Sequence, residues 1–304
     1  MLEFHSPFPN HRICFEKPNL SQLTRQYTVV DLHFHSRYSD GSNTIPEIAR
    51  HAGKLGIGVA VTDHNEIQGA VELDSYPGVL SIPGIEVTSY EGSHVLIYFY
   101  EIEDLKRFYE RDVQPFMGQD VMNSTALEME EIVQRAQKFR TLIIFPHPEC
   151  PVYTGVCNPY FPPERLQPLL AAVDGVEVIN SGNLSKSNLK CALLGFNLGK
   201  SITAGSDGHL LTHMGRSVAY AQCEPDRESF LEAIRQQQNK VVGKEFNLLR
   251  KVASNGYKLK TGVRNYSDLL EKNMRYGRHV IQSKSQALRD NIRRTVNGRS
   301  RHPL

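Results

Sequence analysis

Strand-like and helix-like segments alternate over about 200 residues of this chain, and nearly every strand-like run ends in a histidine or a carboxylate. "TVVDLHFHS" places β-branched residues ahead of His33 and His35, the composition of a buried strand. "GVAVTDHN" ends near His64, "LSIPGIEVTS" carries Glu86 and "SHVLIYFY" begins on His94. "LIIFPHP" ends in His147, and "SITAGSDGH" ends in Asp207 and His209. Between such runs lie segments like "TIPEIARHAGKLG", where Ile45, Ile48, Ala49, Ala52 and Leu55 recur at helical spacing. Thr44 with Glu47 three residues on forms a start signal, and Gly56 a stop.

The alternation predicts a parallel sheet with crossover helices, with one hairpin where "EGS" joins two strands. No glycine-rich phosphate loop opens a helix, so the histidines decide between an open sheet and a barrel. In a parallel barrel the strand ends gather at one rim, where such enzymes keep their sites. Strand alternation turns His33 and His35 to one side, and Asp207 and His209 likewise. Adding Asp40 from the turn "SRYSDG" gives nine candidate metal ligands: His33, His35, Asp40, His64, Glu86, His94, His147, Asp207 and His209. Any one of them could be an ordinary hydrogen-bonded residue. Crowded together without cations, they would repel and bury badly, a cost that divalent ions remove. His5, His11, His51, His279 and His302 lie in the termini or on a helix, and His213 reads as a loop residue.

No apolar run approaches the roughly 18 residues of a membrane span, and the N-terminus lacks a secretory pattern. Five scattered cysteines without a C-x-x-C fit a reducing compartment, so a cytoplasmic location is expected. The net charge of +2 hides a split. Residues 1–239 carry 19 Lys/Arg against 29 Asp/Glu, whereas residues 240–304 carry 16 against 4. This basic tail suggests a polyanionic partner or docking onto the acidic body. Within it, Leu288, Ile292 and Val296 suit a short amphipathic helix, and Phe246, Tyr257, Tyr266 and Tyr276 interleave with cations.

The ordered set "DLHFHSRYSDG", "VTDHN", "IPGIEVTS", "SHVL", "FPHPE" and "AGSDGH" resembles the PHP (polymerase and histidinol phosphatase) family of metal-dependent phosphoesterases, over roughly residues 28–222. Within the family it looks most like the small bacterial branch with Asp in the first loop. The resemblance implies an irregular (β/α)7 TIM-like barrel holding two or three divalent ions (Zn, Mn or Fe). It implies one ion on His33, His35, Glu86 and Asp207, a second on Glu86, His94 and His147, and a third on Asp40, His64 and His209.

The expected organisation is a lead-in over 1–27, a phosphoesterase barrel over 28–239 and a basic, partly helical extension over 240–304. The expected reaction is hydrolysis of a phosphomonoester or phosphodiester, of a small phosphorylated molecule, nucleotide or oligonucleotide end, by metal-activated water. Asp207 and His209 are expected to be catalytic as well as ligating, with His209 a candidate to protonate the leaving group. Arg37 and Arg216 follow ligand-bearing segments and are candidates to grip phosphate. Asp63, beside His64, could orient an imidazole. Two alternatives remain. An amidohydrolase-type barrel also starts with His-x-His but needs a strand-end lysine, which these motifs lack. A nucleic-acid-binding protein could use the metal centre structurally, with the tail as its working surface.

Overall fold

A computed structural model describes residues 12–246 and 270–282, with residues 285 and 289. Ten strands occur among them: β1 (Ile13–Cys14), β2 (Thr28–Phe34), β3 (Gly58–Val61), β4 (Gly84–Thr88), β5 (His94–Phe99), β6 (Thr141–Phe145), β7 (Gly175–Asn180), β8 (Ser201–Gly205), β9 (Ser217–Ala221) and β10 (Lys240–Gly243). The helices are α1 (Leu20–Leu23), α2 (Ile45–Leu55), α3 (Gln68–Asp74), α4 (Ile102–Phe108), α5 (Met129–Ala136), α6 (Pro163–Ala172), α7 (Ser185–Leu198) and α8 (Arg227–Arg235). Residues 270–282 form a further helix.

The strands make two five-stranded sheets, ordered β1-β10-β9-β2-β3 and β4-β5-β6-β7-β8. The expected TIM-like barrel is not closed, because no ladder joins the two sheets into one. At one seam the contacts are the isolated bridges Val59 to Ser81 and His64 to Glu86, and at the other Phe34 to Gly208. Side chains reinforce the few backbone bonds at the second seam, where the His35 amide donates to the Gly208 carbonyl at 2.9 Å. Asp31 accepts from the Ser206 and Gly215 amides at 2.8 Å each. Nor is the arrangement uniformly parallel. The expected β4–β5 hairpin is present, β6 pairs antiparallel to β5, and β9 runs antiparallel to both β2 and β10. Only β4 and β5 are joined by a short turn; β5 leads to its antiparallel partner β6 through α4 and α5, and β9 to β10 through α8, whereas β6, β7 and β8 are joined through α6 and α7 and stay parallel.

Local chemistry explains the best-defined elements. Thr44 and Glu47 form a capping box at the start of α2, and Gly56 ends it in the left-handed conformation with φ 69°. Ile45, Ile48, Ala49 and Ala52 face the core as their spacing predicts. At α8 the cap is Asp226, whose carboxylate accepts from the Ser229 amide, so Pro225 precedes the helix and does not open it. Every residue of β2, β4, β6, β7 and β8 is buried, and their largely apolar runs are broken by polar residues that include those of the site.

The helix over 270–282 lies against the body. Lys272 donates to the Met122 carbonyl, and Arg275 sits 4.7 Å above the Tyr90 ring. Tyr276 packs against Tyr153 and Tyr160, and His279 against Tyr160. Docking is therefore the observed state of this part of the tail. Tyr257 and Tyr266, and the helix expected around Leu288, Ile292 and Val296, lie outside the described residues.

Candidate metal centre

The nine expected ligands converge on one buried cluster. β2 delivers His33 and, one residue past its end, His35, while the following loop returns Asp40. His64 follows β3, Glu86 sits within β4, His94 opens β5, His147 follows β6, and Asp207 and His209 follow β8. Glu86 is central. Its Oε1 lies 3.0 Å from His94 Nδ1 and 3.5 Å from His147 Nε2. Its Oε2 lies 3.1 Å from His64 Nδ1, 3.4 Å from His33 Nε2 and 3.5 Å from His35 Nε2. Asp207 Oδ1 stands 3.2 Å from His35 Nε2 and 3.7 Å from His33 Nε2. Asp40 Oδ2 is 2.8 Å from His209 Nε2 and 3.9 Å from His64 Nε2.

Four overlapping groups within the cluster have donor atoms close enough to share an ion: His33, His35 and Asp207; His35, Asp40 and His209; His35, His64 and Glu86; Glu86, His94 and His147. A protein-only hydrogen-bond network does not account for this cluster. His33 Nε2, both ring nitrogens of His35, His64 Nδ1, His147 Nδ1 and Asp40 Oδ1 are buried without a hydrogen-bond partner. Orphaned lone pairs facing one another are costly to bury. Imidazoles and carboxylates are the donors that Zn, Mn and Fe accept, so the residues fit divalent ions. A further acidic trio, Glu91, Glu128 and Glu130, is different. Arg165 pairs with all three, so a cationic side chain already sits among them.

Electrostatics follow the same geometry. Burial alone would lower the pKa of His33, but Glu86, Glu177 and Asp207 overcome it and hold the value well above the ordinary one. His35 is also raised, by Asp40, Asp207 and Glu86 acting against burial. Burial dominates at His64, pushing it down to about 3, and at His94, which is also lowered. Burial opposes ionisation of Glu86 and Asp40. The surrounding imidazoles prevail and keep both well below the carboxylate range.

Strain marks two of the expected ligand positions. His147 and Asp207 have φ of 34° and 49°, a region costly for residues with a Cβ. The cluster opens into a cavity of about 270 Å³, lined on the cluster side by His64, Glu86, His94, His147, Asp207 and His209. The opposite wall is Cys150, Val152, Thr154, Asn180, Gly182, Asn183 and Phe246. The loop after His147 thus walls the cavity. Neither Arg37 nor Arg216 is among the lining residues. Arg37 is exposed over the Tyr38 ring, and the half-buried Arg216 accepts at its carbonyl from the Lys244 amide. A larger cavity, of about 770 Å³, lies at the starts of β2 and β3 and contains none of the nine residues.

Asp63 does not hydrogen-bond an imidazole. It accepts from the Ser36 amide and hydroxyl and from the Ser39 hydroxyl, fixing the loop that carries Asp40. Sequence reasoning passed over Glu177, a buried acid in β7 whose Oε1 is 3.1 Å from His33 Nδ1. Its signal was an acid in the middle of an otherwise apolar strand, "GVEVIN". His213 is buried against the Phe246 ring, outside the ligand groups.

Comparison with known proteins agrees with this chemistry. Residues 31–169 match the PHP domain. An uncharacterized protein of Methanocaldococcus jannaschii is 30% identical over 166 residues, 50% of this chain and 81% of that protein. Among solved structures, a two-domain protein from Bacteroides vulgatus containing a predicted PHP-like metal-dependent phosphoesterase superposes with TM-score 0.52 and 17% identity, covering 78% of this chain and 70% of that one. A lesion-specific endonuclease from Pyrococcus furiosus superposes with TM-score 0.57 and 22% identity. That match covers 71% of this chain but only 57% of the endonuclease.

Proposed function

We propose that this chain, which belongs to the PHP-domain family, is a hydrolase of phosphate esters whose centre holds two or three divalent ions. The observation that carries the reading is Glu86, one buried carboxylate within 3.5 Å of five imidazoles from four other segments of the chain. His33, His35, Glu86 and Asp207 would hold one ion, and Glu86, His94 and His147 a second. Asp40, His64 and His209 would hold a third. Bound there, divalent ions offset the charge of the ester and make hydroxide available near neutral pH. The chain itself gathers the donors, keeps Glu86 and Asp40 ionised, and walls the reacting group with Thr154, Asn183 and Phe246. His209 lines the cavity, but its Nδ1 faces the Asp207 carbonyl at 2.9 Å and its Nε2 faces Asp40 at 2.8 Å, so in this reading it serves as a ligand and leaves no ring nitrogen free to protonate the leaving oxygen. Arg37 and Arg216 remain the proposed phosphate grips, although neither lines the cavity as it stands. The two sheets are read as a (β/α)7-type barrel opened at its seams, over residues 28–239.

A nucleic-acid end is the second substrate class, favoured by the 16 Lys/Arg against 4 Asp/Glu in residues 240–304. Among the described residues no helix is long and apolar enough to cross a membrane. The deciding experiment reconstitutes the protein with Mn²⁺ or Zn²⁺ and screens p-nitrophenyl phosphate, its bis ester, mononucleotides, single-stranded DNA, abasic duplex DNA and an amide ester panel. Metal-dependent hydrolysis of a phosphate ester is the expected outcome. Turnover of the amide panel alone would replace this reading with the amidohydrolase one, and a metal-loaded protein inert on everything would reject it.

Metal binding should also release protons. His33 and His35 are held above their ordinary values in the metal-free cluster, so protons compete with a cation there. A raised pKa means that this competition is strong below that value and is lost as pH rises through it. Mn²⁺ affinity should therefore increase with pH across neutrality. Calorimetry at pH 7 in two buffers of different ionisation enthalpy measures the proton count, and a count of zero would contradict the expectation.

A further inference from the structure

We infer that Glu177 is a positioning residue that sets the affinity of two of the proposed ion sites and leaves the third untouched. The inference rests on reading the cluster as a metal centre, but it concerns a residue outside the ligand set. Glu177 is 1% exposed and uses both oxygens. Oε1 faces His33 Nδ1 at 3.1 Å, while His33 Nε2 points at Glu86 and Asp207. A carboxylate on the far nitrogen fixes the tautomer, so that the lone pair lies on the nitrogen facing the ions, and stops the ring from turning. Oε2 accepts from the His147 amide at 3.0 Å, in a residue whose backbone is left-handed. The same oxygen accepts from Asn180 Nδ2 at 2.8 Å, and that amide group also reaches Asp207 Oδ2 at 3.4 Å. Asp207 is the other left-handed ligand residue.

One carboxylate on β7 therefore holds a ligand ring from β2 and the strained backbone after β6. Through Asn180 it also restrains the strained acid after β8. Strain of this kind persists only where neighbours over-determine it. The pairing of β7 with β8 shifts register between Glu177 and Ile179, at the place where Glu177 is aimed inward. Gly205 of β8 leaves the room it needs. A Cβ there would collide with His33 and lie 2.9 Å from Glu177 Oε1. The residues so restrained, His33, His147 and Asp207, belong to the first and second ion sites. The contacts of Glu177 include none of Asp40, His64 or His209.

The test is a titration of full-length wild type and Glu177→Gln with Mn²⁺ by calorimetry, with bound metal counted after gel filtration. Circular dichroism and a melting curve check the fold. Glu177→Gln keeps the shape but removes the charge opposite His33. Affinity at two sites should fall by about 10–100-fold, the range for loss of a group that orients a ligand, with the third site unchanged. A general loosening of the fold would not separate the sites in this way. Asn180→Ala should weaken only the site that uses Asp207, and it decides the matter if Glu177→Gln does not fold. Unchanged affinities in the folded variants, or an equal loss at all sites, would overturn the inference. A wild type that binds no Mn²⁺ overturns the metal centre and this inference with it. Binding without hydrolysis would overturn the proposed reaction alone, since the affinities still judge Glu177.

Discussion

Glu86→Gln is expected to strip the centre of at least two ions and to abolish phosphate ester hydrolysis in a chain that still folds. The substitution changes almost no volume, so its effect isolates the charge. The carboxylate is 1% exposed and has five imidazoles within 3.5 Å, split between its two oxygens. An amide offers one neutral oxygen and an NH₂ that can only donate, so it cannot bridge two cations. Removing one partner from a buried charge cluster costs about 3–5 kcal/mol. At about 1.4 kcal/mol per tenfold, that is a loss of metal affinity on the order of 10²–10³-fold. Both oxygens are engaged, so the loss should fall on two sites together, unlike His209→Ala, which removes a ligand of one. Elemental analysis after gel filtration and the substrate screen above would check this. Glu86→Gln with full metal content and wild-type turnover is the result that contradicts it.

The convergent cluster was legible because its residues sit at the ends of apolar runs, where burial needs a reason that burial itself cannot give. His33, His35, Glu86 and Asp207 each interrupt or end such a run, and all four reach the same cluster. The α2 caps were legible for a similar reason, since Thr44, Glu47 and Gly56 act through neighbours within one turn. Longer-range features were hidden. Strand direction depends on which edges find each other. The reversal of β9 between β2 and β10, and the open seams, leave no mark in alternation or period. Asp31 shows why the seams resisted prediction. It reads as one more polar residue before the His-x-His, yet its carboxylate takes the amides of Ser206 and Gly215, far away in sequence. Glu177 was a readable anomaly left unread. Arg37 and Arg216 were placed by sequence proximity, and proximity along a loop does not fix where a long side chain points.

Removing the metal should lower thermal stability by a large and pH-dependent amount. A ligand that binds only the folded state contributes about 4 kcal/mol when its free concentration is 1,000 times its Kd. Each kcal/mol moves the midpoint by about 2–4 °C in a domain near this size, so chelation should cost roughly 8–16 °C. The pH dependence of the metal-free protein follows from the same cluster. His64 falls from its ordinary 6.5 to about 3 on folding, so between those values the unfolded chain binds a proton that the folded chain refuses. Stability contributed by the neutral ring is present above 6.5 and declines as pH drops through that window. The depressed carboxylates Asp40 and Glu86 act in the same direction below their ordinary values. Asp31, raised by burial to about 6, opposes them between 6 and 3.8, where the folded chain gains a proton first. His94, also lowered, acts with His64, whereas His33, His35 and Asp63, all raised, act with Asp31, so acidification moves the metal-free protein in opposing steps, and bound cations should flatten them because they hold the cluster's lone pairs against protons. Melting curves from pH 7.5 to about 3.5, with Mn²⁺ and with a chelator, measure both effects. Curves that coincide at every pH would mean that the buried imidazoles and carboxylates are satisfied without cations.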